Sequence, residues 1–265
     1  MKVGKTGVFG PVWQGDCPII VPVLTLALDT SSPAGSLAVL RDTKVIGTVS
    51  TWTDEIYSSR MFRHLDFLVK ELSLRLEEFD LFAVAAGPGS FTGLRVGLAA
   101  VKGWAEVYGK PIAAVSGLEA IAAQSHSRSY WVVPVADARR GQVYFGMYRR
   151  TGDPNENRLT LEGEECVMTP EEFLDSLHAR GAVGECTIVT PASALISSTV
   201  SRDETTRAAT EGIRVDEVSA VLAPQVGRLG YLRAQRGEVV DALTLNANYV
   251  RRTDAELRWK APKES

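Results

Sequence analysis

Residues 81–109 read LFAVAAGPGSFTGLRVGLAAVKGWAEVYG, and the other elements of the chain can be placed relative to them. Residues 81–86 form an apolar run of strand length that ends at Gly87-Pro88-Gly89. Ser90 or Thr92 can then cap a helix that continues to the end of the stretch. The sequence therefore predicts a strand, a glycine-rich turn and a long helix in direct succession.

This helix carries an unusual row of small residues. Gly93, Gly97 and Ala100 recur along one face, and each glycine costs a helix about 1 kcal/mol relative to alanine. Small residues three or four positions apart allow another backbone to approach closely. Two interpretations follow: the helix packs tightly on its own sheet, or a partner helix lies in the groove. The spacing by itself favours the first.

The glycine-rich turn also has the composition of an anion-binding loop, because backbone N–H groups at a helix N-terminus bind phosphates. A P-loop would place Lys and then Ser or Thr directly after the closing glycine. Here Gly93 is followed by Leu94 and Arg95, and the dinucleotide-binding spacing is not met either. The turn is therefore interpreted as structural.

Composition excludes several classes of protein. The 265 residues are 45% hydrophobic with a net charge of −3, which is ordinary for a globular chain and gives no basic field for nucleic acid. An odd number of cysteines without a CxxC pair argues against a disulfide framework, so a cytoplasmic location is expected. The histidines are scattered without metal-ligand spacing, so no metal site is expected. No stretch approaches transmembrane length, so no membrane association is expected.

The elements around residues 81–109 repeat in order. In the first half of the chain, up to the end of this stretch, we predict strands over residues 23–28, 36–40, 44–52 and 81–86 and helices over residues 58–76 and 90–108. After a strand over residues 111–115 and a helix over residues 116–125, strands follow over residues 130–136, 142–149, 159–167 and 187–189, with helices from residue 169 and over residues 191–198. The chain thus contains two β-β-β-α-β-α units.

Domain boundaries follow from this repeat. We predict an irregular N-terminal extension over residues 1–22, an N-terminal lobe over residues 23–115 that is completed by the helix near residues 217–237, a C-terminal lobe over residues 116–214, and a C-terminal tail over residues 238–265. The predicted fold class is α/β, with two lobes as in the actin, hexokinase and heat-shock-70 superfamily.

In that superfamily an Asp-led turn in each lobe flanks a nucleotide cleft. Asp29 and Asp137 occupy the matching positions, and Arg139 lies close to the second, so these three are candidate cofactor-binding residues. The alternative is that each aspartate forms hydrogen bonds within its own turn, as aspartate usually does there. The residues themselves favour hydrogen bonding within the turn over cofactor binding.

Four segments carry a more specific resemblance. They read LALDTS at residues 26–31, GPGSFTGLRVG at residues 87–97, Asp137-Ala138-Arg139 with Val143-Tyr144, and Tyr249-Val250-Arg251. Together they resemble the bacterial TsaB (YeaZ) family of tRNA threonylcarbamoyladenosine biosynthesis proteins, whose domain was once labelled glycoprotease. The resemblance covers most of the chain from residue 23 to about residue 260, and the GPGSFTGLRVG block is its most specific part.

The resemblance implies a non-catalytic scaffold that pairs directly with the TsaD threonylcarbamoyltransferase. The pair would make threonylcarbamoyladenosine next to the anticodon of tRNAs that read codons beginning with A, and TsaE and tRNA would be reached through the complex. The chain alone would form a homodimer and hold no cofactor, with ATP expected only at a site shared with the partner.

The helices over residues 58–76 and 90–108 would form the partner interface, in a four-helix arrangement. The expected interface residues are Met61, Phe62, Leu65, Gly93, Arg95, Gly97 and Ala100.

Two departures from the family pattern concern nucleotide and the first helix. Tyr57-Ser58 stands where relatives usually have His-Ser, and Thr190-Pro191 replaces a glycine-rich adenosine turn, where proline removes a backbone N–H. Two alternatives stay open: an ATP-dependent phosphotransferase of the same superfamily, which would need that turn, and a glycoprotease-like peptidase, which would need an activated water and metal ligands. The basic tail around Arg251 and Arg252 is either solvated or a minor contact to tRNA or a partner.

Overall fold

The computed structural model describes residues 12–14, 17–19, 21–32, 34–52, 57–151, 158–182, 184–200 and 213–251. The strands are β1 (Val12–Gln14), β2 (Cys17–Ile19), β3 (Leu24–Asp29), β4 (Ser36–Arg41), β5 (Lys44–Ser50), β6 (Leu81–Gly87), β7 (Ile112–Ser116), β8 (Trp131–Arg139), β9 (Gln142–Phe145), β10 (Tyr148–Thr151), β11 (Arg158–Leu161), β12 (Cys166–Met168), β13 (Cys186–Thr190) and β14 (Arg214–Glu217). The α-helices are α1 (Tyr57–Glu71), α2 (Phe91–Tyr108), α3 (Gly117–Ala122), α4 (Pro170–Ala179), α5 (Ser193–Val200) and α6 (Ala223–Gln235).

The first sheet has the strand order β5-β4-β3-β6-β7. Strands β3, β6 and β7 run parallel, and β4 and β5 return antiparallel to one another and to β3. Every residue of β3 and β6 is buried, as expected for parallel strands with helices on both faces. This explains why both strands read as apolar runs without polar alternation.

Alternate residues of these strands belong to two different cores. Leu26, Leu28 and Phe82 face α1 and α2, whereas Ala27 and Ala83 face α6. The alanine face allows α6 to lie close against the sheet. Helix α6 lies across the first sheet, and its side chains share a core with α3 and the facing side of the second sheet.

The second sheet has the order β11-β10-β8-β13-β14, with β9 and β12 paired beside β8. Strands β9 and β10 lie end to end along the same side of β8, and β11 and β12 lie end to end along their outer side. Taken as interrupted strands, they reproduce the order of the first sheet. The predicted α/β fold of two β-β-β-α-β-α units is therefore confirmed, and α4 and α5 cover the outer face of the second sheet.

Several predicted boundaries are wrong for identifiable reasons. Helix α1 ends at Glu71 instead of residue 76, because Ser73 adopts a left-handed φ of 54° and the N–H of Leu74 bonds back to Val69. Helix α6 begins at Ala223, later than the helix predicted near residues 217–237, because Pro224 favours the first turn of a helix.

Two short segments of the N-terminal extension form strands. Strands β1 and β2 pair antiparallel, so the prediction that no element forms within residues 1–22 is wrong for these two segments. The second sheet ends at Glu217, three residues beyond the predicted lobe boundary at residue 214. Residues 201–212 and the tail beyond residue 251 lie outside the described residues.

Candidate partner-binding face and inter-lobe crevice

Asp29 ends β3 and is completely buried. Its Oδ1 accepts hydrogen bonds from the N–H of Ser31 at 2.8 Å and from the Ser31 hydroxyl at 2.5 Å, and its Oδ2 accepts one from Ser32 at 3.2 Å. Burial raises the pKa of the Asp29 carboxyl, and the hydrogen bonds from Ser31 and Ser32 offset part of that rise. Both carboxyl oxygens therefore accept hydrogen bonds inside the turn, which is the alternative interpretation that the residues favour.

The start of α2 covers this turn. The N–H of Ser90 donates to the carbonyl of Ser31 at 2.8 Å, and the hydroxyl of Thr30 donates to the carbonyl of Gly93 at 2.8 Å. A Cβ at position 93 would lie 2.0 Å from the Thr30 carbonyl oxygen, and one at Gly97 would lie 2.3 Å from Thr30 Oγ1. Both glycines therefore allow the chain to pack on itself.

This packing corrects part of the predicted partner interface. Gly93 and Gly97 face Thr30, and Met61 and Leu65, at 0% and 5% exposure, face the first sheet from α1. These four residues belong to the interior, because the stripe at helical spacing on α1 is the one that the sheet buries. Ala100 is half-buried and packs against the same core.

Other residues of α1 and α2 are exposed to solvent, with Phe62 and Phe67 about 140° apart around α1, on either side of its buried stripe. Phe62 and Phe67 on α1 are 55% and 54% exposed, and Val107 on α2 is 73% exposed. Among the described residues, no heavy atom lies within 4 Å of the position that a Cβ on Gly103 would occupy. We call Phe62, Phe67, Gly103 and Val107 the outer face of α1 and α2.

Arg95 lies on the surface. It lies at the N-terminal end of α2, and its guanidinium carbon is 3.8 Å from the ring centroid of Phe91. Its Nε donates a long hydrogen bond of 3.5 Å to the hydroxyl of Tyr249. The side chain is therefore held by a cation–π contact within the chain while it stays open to solvent.

The second Asp-led turn is different from the first. Asp137 is exposed, accepts a hydrogen bond of 2.6 Å from the N–H of Arg139, and lies 3.8 Å from the Arg139 side chain. Arg139, Arg140 and Gly141 all have positive φ values in the tight connection to β9. Whereas Asp29 is enclosed, Asp137 and Arg139 are open to solvent and stay candidates for binding a ligand.

The turn at Thr190-Pro191, which departs from the family pattern, is closed by a hydrogen bond within the turn. Thr190 is buried at the end of β13, and its hydroxyl accepts from the N–H of Ala192 at 3.1 Å before α5 begins.

Within the described ranges, no three His, Cys, Asp or Glu side chains are grouped so that they could hold a metal ion. None of the helices in those ranges combines the length and apolarity needed to cross a membrane.

Sequence reasoning missed the role of the tail. The sequence predicts Arg251 to be solvated or to make a minor contact to tRNA or a partner, whereas in the structure its guanidinium donates to the carbonyl of Ala138 at 2.8 Å and to the side chain of Gln142. The resemblance of Tyr249-Val250-Arg251 to a family motif was the available signal that this segment has a fixed place. Arg252, Arg258, Lys260 and Lys263 lie outside the described residues.

The buried carboxyl of Asp29 gives the first testable prediction. Because its folded-state pKa is raised above the unfolded value near 3.8, the folded chain keeps a proton that the unfolded chain releases. Stability is therefore lost as pH rises through the window between the two pKa values. Asp29→Asn should reduce this loss, because the amide oxygen still accepts from Ser31 without carrying a charge.

Urea unfolding midpoints measured from about pH 4 to about pH 8 would check this expectation. Asp66→Asn is the control, since Asp66 is exposed on α1 and forms only a surface pair with Lys70. The Asp66 variant should keep the pH dependence of the wild type. If Asp29→Asn also kept it, the buried carboxyl would not be the source.

The chain matches a family model and also resembles individual proteins in sequence. The model of the family described as TsaD, tRNA N6-adenosine threonylcarbamoyltransferase, matches residues 42–235. The tRNA threonylcarbamoyladenosine biosynthesis protein TsaB of Bacillus subtilis is 37% identical over 124 residues, which is 47% of this chain and 54% of the relative. The protein of the same name from Haemophilus influenzae is 34% identical over 160 residues, or 58% of this chain and 67% of the relative. The chain spans little more than half the length of the first relative.

Solved structures support the same fold. YeaZ from Pseudomonas aeruginosa superposes with a TM-score of 0.65 at 24% identity, covering 86% of this chain and 99% of that protein. A second structure from that organism, described as similar to peptidase YEAZ, gives 0.67 at 24% identity over 86% of this chain and 100% of the other. At this identity the likeness is one of fold.

Proposed function

Since this chain belongs to the TsaB (YeaZ) family, within the TsaD-type domain, we propose that it is a non-catalytic subunit that pairs with a TsaD threonylcarbamoyltransferase. The pair would make threonylcarbamoyladenosine next to the anticodon of tRNAs that read codons beginning with A. This chain would then act by binding and positioning its partner. The chemistry would take place on the partner.

The observation that carries this proposal is the outer face of α1 and α2. Phe62, Phe67 and Val107 are each more than half exposed, although they lie on helices whose inner stripes already fill the core. A helix that packs only on its own sheet needs a single apolar stripe, so additional exposed aromatics support a second contact surface. Gly103 leaves room there for the close approach of another helix.

The enclosed Asp29 turn supports the non-catalytic part of the proposal. A phosphotransferase of the actin and hexokinase superfamily would need this carboxylate free to act near a bound nucleotide, and here both oxygens accept hydrogen bonds from Ser31 and Ser32. No described residue arrangement favours the peptidase alternative, which needs an activated water. ATP binding is proposed only at a site shared with the partner, where Asp137 and Arg139 are open.

The assembly that we propose has two states. The chain alone would form a homodimer through the outer face, and TsaD would displace one copy because both use the same surface. TsaE and tRNA would be reached through the complex with TsaD, and the assembly would work in the cytoplasm. Each of these proposed partners is open to direct test.

Reconstitution with the TsaD of the same organism is that test. We expect the two chains to co-purify, and we expect tRNA modification to require both of them. This chain alone should show neither transferase nor peptidase activity. Full modification by TsaD without this chain would refute the proposal, as would failure of the two chains to associate at micromolar concentration.

A further inference from the structure

Residues 246–251 cross from the first lobe to the second, along the ends of several strands. The N–H of Asn248 donates to the carbonyl of Ala86 at 2.7 Å, which fixes the segment to the end of β6. A Cβ on Gly87 would lie 2.4 Å from the carbonyl oxygen of Asn248, so the two backbones are in direct contact. We call residues 246–251 the strap.

Glu165 joins the strap to both lobes. It lies in the second lobe between β11 and β12, and its Oε2 accepts a hydrogen bond from the side-chain amide of Asn248 at 2.5 Å. Its Oε1 accepts from the hydroxyl of Tyr148 at 2.7 Å and from Ser116, the residue that caps α3. One carboxylate therefore connects the first lobe, the second lobe and the strap.

The far end of the strap is anchored twice more. The ring of Tyr249 packs on that of Phe91 at the start of α2, with 5.1 Å between centroids. Arg251 donates to Ala138 at 2.8 Å in the second Asp-led turn and lies 5.9 Å from the ring centroid of Tyr144. Hydrogen bonds from a charged donor are stronger than neutral ones, so Arg251 is an effective anchor.

The contacts of the strap lie at the carboxyl ends of strands in both sheets. Ala86 lies near the carboxyl end of β6, Ser116 at the carboxyl end of β7 and Ala138 near that of β8. Open α/β sheets bind their ligands in the crevice outside the carboxyl ends of the strands. In this chain the strap lies along that edge of both sheets.

We propose that the strap is a built-in closing device: residues 246–251 lie along the carboxyl-end edges of both sheets and hold the second lobe against the first. In the isolated chain this edge is then covered by the chain's own backbone, while Asn246, Asn248 and Tyr249 stay exposed to solvent. Any ligand or partner segment that binds across this edge must first displace the strap. This inference does not depend on the proposed function, because it concerns only contacts within the chain.

Hydrogen exchange followed by mass spectrometry tests the strap on the full-length chain. The double variant Asn248→Ala, Arg251→Ala removes the side-chain anchors at both ends. The three lost side-chain hydrogen bonds should increase exchange about tenfold or more in peptides that contain residues 246–251. Peptides that contain Ser116 and Glu165, on the two facing lobes, should exchange faster as well, whereas peptides from the interior of β3 should not change.

Arg75→Ala is the matched control, because the Arg75 side chain is exposed and forms surface ion pairs with Glu77 and Glu78. It should leave all of these rates unchanged. If the double variant does not fold, Glu165→Gln replaces it, since this near-isosteric change weakens the same junction without truncating a side chain. The proposal is overturned if the strap exchanges as fast in the wild type as an unprotected segment. It is also overturned if neither variant accelerates exchange on the facing lobes.

Discussion

Gly97→Leu should unfold the chain or lower its free energy of unfolding by about 3 kcal/mol or more, whereas Gly103→Leu on the same helix should leave it folded. The first Cβ added at Gly97 would already lie 2.3 Å from Thr30 Oγ1, and the remaining leucine atoms would push α2 away from the turn that holds Asp29. Total stabilities of about 5–15 kcal/mol leave little room for such a loss.

Gly103→Leu is the matched control, because it makes the same substitution where the structure shows open space among the described residues. Leucine is also a better helix former than glycine by about 0.5–1 kcal/mol, so this variant should be as stable as the wild type or slightly more stable. Urea unfolding followed by circular dichroism would compare the three chains. Equal midpoints for Gly97→Leu and the wild type would show that α2 does not depend on close contact with Thr30.

The local elements around α2 could be predicted because their signals are local. Ser90 caps the helix, with its side chain accepting from the N–H of Gly93 at 3.3 Å, and Gly109 ends it with a left-handed φ of 63°. Apolar runs and turn residues likewise fixed the order of strands and helices in both units. Repetition of that order was sufficient to predict the fold class.

The role of the small residues could not be predicted in the same way. Glycine spacing on α2 indicates that a backbone comes close, but it does not tell which one. The neighbour is Thr30, which belongs to a turn more than sixty residues earlier in the chain. The strap shows the same limit, because Asn248 contacts Ala86 and Glu165 across even longer separations. Contacts of this kind depend on how the lobes pack, so they cannot be predicted from local sequence patterns.

The outer face of α1 and α2 gives the second prediction with a large expected effect. Phe62→Asp should leave the chain folded, because Phe62 is 55% exposed and lies outside the buried stripe of α1. If the outer face binds TsaD or a second copy, the aspartate would bring an unpaired charge into an apolar contact. Loss of one such anchor typically costs about 2 kcal/mol or more, which weakens binding about thirtyfold or more.

The measurements are the molar mass of the isolated chain in solution, its affinity for TsaD, and tRNA modification by the reconstituted pair. Val215→Asp is the control, since Val215 is 43% exposed on the edge strand β14 of the second lobe, where no partner is proposed. We expect Phe62→Asp to lower self-association, TsaD binding and modification together, and we expect Val215→Asp to change none of them. Because Gly103→Leu blocks close helix approach without disturbing the core, it should reproduce the effect of Phe62→Asp. If both outer-face variants bind TsaD as the wild type does, the partner uses another surface and Phe62 is only an exposed aromatic.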